Sequence, residues 1–370
     1  MARKLASIQI IEAVDPIPNA DRIERIKVLG WQCVARKGEF RVGELCVYVE
    51  IDSILPEKPE FEFLRERKFR VKTIKLKGQL SQGICFPISI LPLMKKLPVG
   101  LDVTEKLGIT KYELPDSLAV PNRLKGYASK PFPGFCRKTD EQRIQSCVKA
   151  LDEIKGKKVY ISQKQDGTSF TAYYDIRTKH FGVCSRNFEL RDPSVDHRSL
   201  WQKVQDWFRQ LTLRKPKWWR DLKDSYWDYA NETDLHYIMK SYCETNNKSI
   251  AIQGELCGAG IRGNKLNLPG RQLYVFNVWD ISEQKYLDWY DFLKVISNMG
   301  LKTVPILQGG VEFNWTLEQL LELAKGEYYP GSPREGIVIR PMVECKSEIV
   351  DGGRLSFKVI NNDFLLKHGE

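Results

Sequence analysis

Val159-Tyr160-Ile161-Ser162-Gln163-Lys164-Gln165-Asp166-Gly167-Thr168 reads as an apolar strand that ends on a lysine, with Asp and Gly two and three residues further on. A lysine at a strand end is commonly a solvated surface residue, and a K-x-D-G tetrapeptide arises by chance. Its weight comes from an ordered series of elements downstream. Ser185-Arg186-Asn187 closes a hairpin, and Ile252-Gln253-Gly254-Glu255-Leu256 comes after it. Next are the apolar run Leu273-Tyr274-Val275-Phe276-Asn277-Val278, then Arg334-Glu335-Gly336-Ile337-Val338-Ile339-Arg340, and finally Leu355-Ser356-Phe357-Lys358. Glu255 and Glu335 each stand beside a glycine within an apolar stretch, where an unpaired carboxylate is costly.

Around this set the chain has 370 residues, long for one compact domain, so two are expected. Apolar residues make up 42% and charged residues 28%, which excludes a disordered or fibrous chain. The 58 Lys and Arg exceed the 47 Asp and Glu, and the net charge of +11 makes a polyanion a natural partner. The longest apolar stretch, Ile88 to Met94, contains a proline and falls far short of the ~20 residues of a membrane span. The start has no apolar signal core, so an intracellular protein, cytoplasmic or nuclear, is expected. Nine cysteines without a CxxC pair and only four histidines give a structural zinc site little to draw on, and buried thiols are expected.

Residues 4–11, 23–28, 32–35, 45–51, 70–76 and 83–87 read as short strands broken by turns, the pattern of a small barrel. Seven basic residues fall between Arg65 and Lys77. Lys68, Arg70 and Lys72 alternate with Phe69 and Val71, then Lys75 and Lys77 with Ile74 and Leu76. A bulge at Thr73 would keep the basic side chains on one face, for contact with RNA or simply for solvent. Prolines 115, 121, 131 and 133 mark a linker, and 139–154 reads as a helix with Ile144, Val148, Leu151 and Ile154 on one face. Five of the nine tryptophans fall between residues 200 and 228 among seven basic residues, a mixture that suits either an amphipathic helical insertion or RNA stacking. Gly258-Ala259-Gly260-Ile261-Arg262-Gly263 matches GxGxxG, yet Asn264 to Pro269 cannot begin the helix a dinucleotide fold needs, so this is read as a loop.

The ordered elements resemble motifs I, Ia, III, IIIa, IV and V of the covalent nucleotidyltransferases, the superfamily of ATP-dependent ligases and capping enzymes. With Asp15-Pro16-Ile17-Pro18-Asn19-Ala20-Asp21 in front, similar to the entry of tRNA-binding OB modules, and Arg137 to Gln145 before motif I, the whole chain resembles RNA ligase family 5. The resemblance implies an α+β fold. An N-terminal β-barrel (OB-like) domain, 1–108, and a linker, 109–130, would precede a C-terminal antiparallel-sheet nucleotidyltransferase (ATP-grasp-like ligase) domain, 131–370, with a helical insertion. Ser356 departs from the superfamily pattern, where many ligases carry a second lysine.

The resemblance further implies an ATP-dependent RNA ligase, a monomer without membrane association, that repairs nicked duplexes or RNA ends. Lys164 would attack the α-phosphorus of ATP and carry AMP as a phosphoramidate. Asp166, Glu255 and Glu335 would hold Mg2+ or Mn2+, and Lys358 would offset charge on the α-phosphate. Phe276 would stack on adenine, Gln163 would meet the adenine edge, and Gly167, Arg186, Glu255 and Lys358 would complete the nucleotide contacts. Lys68, Arg70, Lys72, Lys75 and Lys77 are the expected RNA contacts. Two other readings stay open. One is a non-catalytic RNA-binding OB protein; the other is a DNA ligase or capping-type enzyme, although those carry their OB domain after motif V and only 12 residues follow Lys358 here.

Overall fold

The computed structural model describes residues 4–92, 96–112, 128–192 and 225–369. Most of the tryptophan-rich stretch at 200–228 and part of the expected linker lie outside the described residues. The chain divides into two compact units, each discontinuous in sequence. One comprises Met1–Glu113, Glu141–Lys164 and Pro305–Glu370; the other comprises Leu114–Asp140 and Gln165–Val304.

The first unit opens with the expected β-rich barrel. Ala6–Ile10, Leu45–Val49 and Ile84–Pro87 form one antiparallel sheet, and Ala13–Pro16, Ile23–Val28 and Trp31–Arg36 form a second. Alternation in the Ile23–Val28 strand buries Ile26 and Val28 and leaves Arg25 and Lys27 at the surface side. Ile8, Trp31, Val47, Tyr48 and Ile51 fill the interior, joined by Phe364 and Leu365 of the terminal helix Asn362–His368.

The same unit contains a five-stranded sheet in the order Gln142–Arg143, Phe357–Ile360, Gly336–Pro341, Lys158–Lys164, Ile306–Glu312. Only the first pair is parallel. The side-chain period of two sorts this sheet into faces. Val159, Ile161, Ile337, Ile339, Phe357 and Val359 enter an apolar core with Ile144, Ile154, Phe313 and Leu320. Tyr160, Ser162, Lys164, Val338, Arg340 and Lys358 occupy the opposite face.

The helix expected over 139–154 is not formed as such. Gln142 and Arg143 pair with Phe357 and Lys358, Ile144–Ser146 makes a 3-10 turn, and only Ala150–Ile154 is α-helical. The apolar spacing did mark burial, since Ile144 and Ile154 are fully buried, but a sheet edge with open backbone groups claimed the first residues. The strand expected over 70–76 likewise shrinks to Ile74–Leu76, paired only with Gln79–Ser81. A two-stranded ribbon has no covered face, so Leu76 is exposed where alternation predicts core.

The second unit is built on a seven-stranded antiparallel sheet. Its order is Ala128–Pro131, Phe188–Leu190, His180–Cys184, Thr168–Asp175, Ile250–Gly258, Arg271–Asp280, Lys285–Tyr286. The helix Leu235–Asn246 packs Leu235, Met239 and Cys243 inward. Eight of the nine cysteines are buried and all are free thiols, as expected. Among the described residues no helix is long and apolar enough to cross a membrane.

Candidate active site

Lys164 ends its strand opposite Gly336, which places Glu335 at the lysine's side. Gly336 is required there. Its φ is +151°, and an added Cβ would lie 2.2 Å from the Val359 carbonyl oxygen, so no other residue fits between the carboxylate and the strand. Lys164 Nζ lies 2.7 Å from Glu335 Oε2, with the two side chains 23% and 14% exposed. The Tyr328 hydroxyl fastens this pair from the backbone side, donating to the Lys164 carbonyl at 2.7 Å and accepting the Glu335 N–H at 3.1 Å. Arg334 anchors the same segment by donating to the carbonyls of Leu323, Ala324 and Lys325 at the end of a helix.

Lys358 stands on the same sheet face as Lys164, one pleat back, opposite Val338. Behind it lies a buried charge network. Arg340 donates to the Glu141 carboxylate and, through Nε, to Ser356 Oγ at 3.1 Å; Ser356 Oγ in turn donates to Glu141 at 3.2 Å. Burial alone would raise the Glu141 pKa, but Arg340, Arg354 and Lys358 outweigh it and hold the carboxyl at about 2. The serine in place of a second lysine is thus a bridging hydroxyl inside an ion pair, 3% exposed as a residue.

In the second unit Asp166 begins the chain that leads into the central strand. Gly167 comes next because a Cβ there would meet the Leu256 carbonyl oxygen at 2.4 Å, and its N–H donates to Glu255 Oε1 at 3.2 Å. Asp166 and Glu255 are therefore tied to one turn. The Asp166 side chain is 1% exposed and carries two cations, Lys265 Nζ at 2.8 Å on Oδ2 and Arg262 at 3.2 Å on Oδ1. The register slips between Gln253 and Gly254, which face Asn277 and Val275, so Phe276 is the extra residue of a bulge. Such bulges re-aim side chains, and Phe276 is half-buried on its strand rather than a core residue.

Other expected site residues are placed differently. Gln163 shares the sheet face of Ile161, opposite to that of Lys164, and its N–H donates to the Pro305 carbonyl. Arg186 makes an exposed ion pair with Asp140 at 2.8 Å. Arg70 is buried, paired with Asp52 at 3.2 Å and stacked 3.5 Å over the Tyr112 ring. Lys72 is half-buried, and Lys68, Lys75 and Lys77 are exposed. Among the described residues no three His, Cys, Asp or Glu side chains converge on a point that could hold a metal ion.

Arg262, Lys265, Tyr328, Glu141 and Arg340 were not among the residues expected from sequence. Arg262 and Lys265 belong to the loop of the rejected GxGxxG, whose two basic residues three apart were the one available signal.

An OB-fold domain model matches residues 5–88, and the RNA ligase family model matches residues 157–360. The chain belongs to the RNA ligase family. Solved structures of Naegleria gruberi RNA ligase resemble this RNA ligase throughout. The form with PPi is 33% identical with a TM-score of 0.81, covering 100% of this chain and 99% of that one. A lysine-to-alanine variant with ATP and Mn gives the same identity and TM-score over 99% of both chains. A glutamate-to-alanine variant with AMP and Mn is also 33% identical, with a TM-score of 0.80 over 99% of both chains. No curated protein matches the chain. The ligase fold is thus an N-terminal OB-fold domain followed by an antiparallel-sheet nucleotidyltransferase domain.

Proposed function

We propose that this RNA ligase joins 3′-OH and 5′-phosphate RNA ends with ATP through a lysyl-AMP on Lys164. The observation that carries the reading is the Lys164–Glu335 pair on the sheet face shared with Lys358. In an ion pair Nζ holds three protons and has no lone pair for attack. Glu335 Oε2 is the oxygen nearest to take one. Nζ then forms a bond to the α-phosphorus as the bond from that phosphorus to pyrophosphate breaks. Lys358, an extended cation on the same face, offsets the charge that builds on the α-phosphate. In the second step an oxygen of the RNA 5′-phosphate displaces Nζ, which regains a proton. In the third, the 3′-OH attacks the RNA-adenylate, and AMP leaves.

A divalent cation, Mg2+ or Mn2+, suits the second unit. Asp166 offers a nearly inaccessible carboxylate whose Oδ2 contact with Lys265 lacks hydrogen-bond geometry, a hard anionic oxygen with capacity to spare. Asp166 and Glu255 would hold the ion, Glu335 being kept for the Lys164 proton, and a bound ion would supply Lewis-acid stabilisation of phosphoryl charge. Phe276 remains the proposed adenine platform, with Gly167 and Arg186 contributing nucleotide contacts. Gln163 would reach the base edge only from the strand end. Lys68, Lys72, Lys75 and Lys77 are the proposed RNA contacts, while Arg70 is tied to Asp52 and Tyr112. Functionally we divide the chain into an OB module at 1–108, a linker at 109–130 and a ligase module at 131–370. The enzyme is proposed to act as an intracellular monomer.

Incubation with labelled ATP and Mn2+ tests the reading. Covalent AMP on the full-length protein, absent in Lys164→Ala, supports it. Labelling that persists in the variant overturns it, and labelling from GTP in place of ATP favours the capping-type reaction.

A further inference from the structure

The two cations on Asp166 are used by none of these steps. Asp166 lies almost out of reach of water, and a carboxylate so placed needs compensating charge whenever the chain is folded without metal. Lys265 and Arg262 supply it from a loop that is built to present them. Asn264 ties the loop across itself, donating through Nδ2 to the Leu268 carbonyl and accepting the Leu268 N–H through Oδ1. Arg262, Asn264 and Asn267 all take left-handed backbone, which for the arginine is uncommon.

Arg262 donates to Asp166 Oδ1 at 3.2 Å, but the Lys265 contact is held differently from a permanent structural ion pair. The buried Glu141 is bonded to Arg340 and Ser356 with hydrogen-bond geometry at each contact. Lys265 sits 2.8 Å from Asp166 Oδ2 without that geometry, and Arg262 is 41% exposed.

From this arrangement we infer that Lys265, seconded by Arg262, is a resident counter-cation. It occupies the Asp166 carboxylate in the metal-free ligase and moves to a substrate phosphate when a divalent cation takes that carboxylate. The inference rests on the proposal that Asp166 binds metal. Two ammonium or guanidinium charges cannot stay beside a divalent cation without cost, and a phosphate oxyanion removes that cost. Metal and phosphate binding therefore favour each other, reciprocally, through these two side chains.

The test uses full-length ligase and reads metal binding directly, as free Mn2+ by electron paramagnetic resonance without ATP or RNA. If Lys265 covers Asp166 about nine-tenths of the time, Lys265→Gln should bind Mn2+ about tenfold more tightly than the natural chain, because the competent fraction rises to one. Arg262→Gln, at the more exposed position, should shift binding in the same direction by less, and Lys265→Arg should restore the natural affinity. Binding of a labelled 5′-phosphorylated nicked RNA duplex is then followed by fluorescence anisotropy with and without Mn2+. In parallel, ATP binding is measured by calorimetry in the Lys164→Ala background. The gain in affinity that Mn2+ gives should shrink in Lys265→Gln for whichever phosphate, RNA or ATP, receives the lysine.

Unchanged or weaker Mn2+ binding by both Gln variants would overturn the inference, as would a metal-dependent gain that persists for both phosphates. Asp166→Asn separates this failure from that of the metal assignment. If Asp166→Asn binds Mn2+ like the natural chain, the assignment itself is wrong. If it loses binding while the Lys265 and Arg262 variants bind like the natural chain, only the counter-cation role is refuted.

Discussion

Glu141→Gln removes one charge from the buried network behind Lys358 and leaves its shape nearly intact. The Glu141 carboxyl is held at about 2, against an ordinary value of 4.5, by Arg340, Arg354 and Lys358 working against its burial. A depression of roughly two and a half units corresponds to about 3 kcal/mol of folding stability, at 1.36 kcal/mol per unit. Because the folded-state value is the lower one, this stability is complete above the unfolded value of about 4.5 and is lost as pH falls toward about 2. Urea unfolding at pH 7 should therefore show Glu141→Gln about 3 kcal/mol less stable, with part of that from the Arg340 charge left buried beside a neutral amide. At pH 3.5 the deficit should have narrowed by about 1.4 kcal/mol, because the carboxyl of the unfolded chain is by then mostly protonated while the folded one stays charged. Replacing both partners, Glu141→Leu with Arg340→Met, should recover much of the deficit at pH 7. A deficit that does not change between the two pH values would refute the assignment of Glu141 as a charged member of the network. A double replacement as unstable as the single one would refute the pairing itself.

Tyr328→Phe deletes the hydroxyl that joins the backbones of Lys164 and Glu335; without this bridge, worth about 1–1.5 kcal/mol, self-adenylylation should slow about tenfold with little change in the KM for ATP, read by single-turnover labelling. Lys358→Ala should cut adenylylation far more than it cuts stability, because the side chain is a half-buried cation on an otherwise satisfied strand; equal reductions in both would make it structural. Charge reversal at Lys75 and Lys77, both exposed on a hairpin, should weaken RNA binding and lower the slope of log affinity against log salt by about 0.7–0.9 for each phosphate no longer neutralised, whereas an unchanged slope would leave them as solvated residues.

Much of this protein was legible before folding because its signals are local. A strand ending in Lys164-Gln165-Asp166-Gly167, the Gly-Glu of 254–255 and the Glu-Gly of 335–336 combine apolar strands with glycines that only close backbone packing explains, and the Cβ positions at Gly167 and Gly336 bear that out. The barrel was readable for the same reason, since alternation within one strand already separates core from surface. What the linear chain could not reveal are partners decided by sheet order. Glu141 meets Arg340 across 199 positions because the strands beginning at Gln142 and Gly336 flank Phe357–Ile360 in one sheet, and Tyr328 meets Lys164 across 164 from a separate two-stranded ribbon. The same competition for sheet-edge hydrogen bonds turned 142–143 from an expected helix into a strand. Burial decided the rest. Arg70 looked like an RNA contact among six other basic residues until Asp52 and Tyr112 enclosed it, and Lys265 looked like an ordinary loop lysine until the folded chain set it on a carboxylate that water cannot reach. A charge shows its role in sequence only when its partner is a neighbour in sequence. For a buried charge that partner is chosen by the tertiary fold, which must neutralise whatever it desolvates.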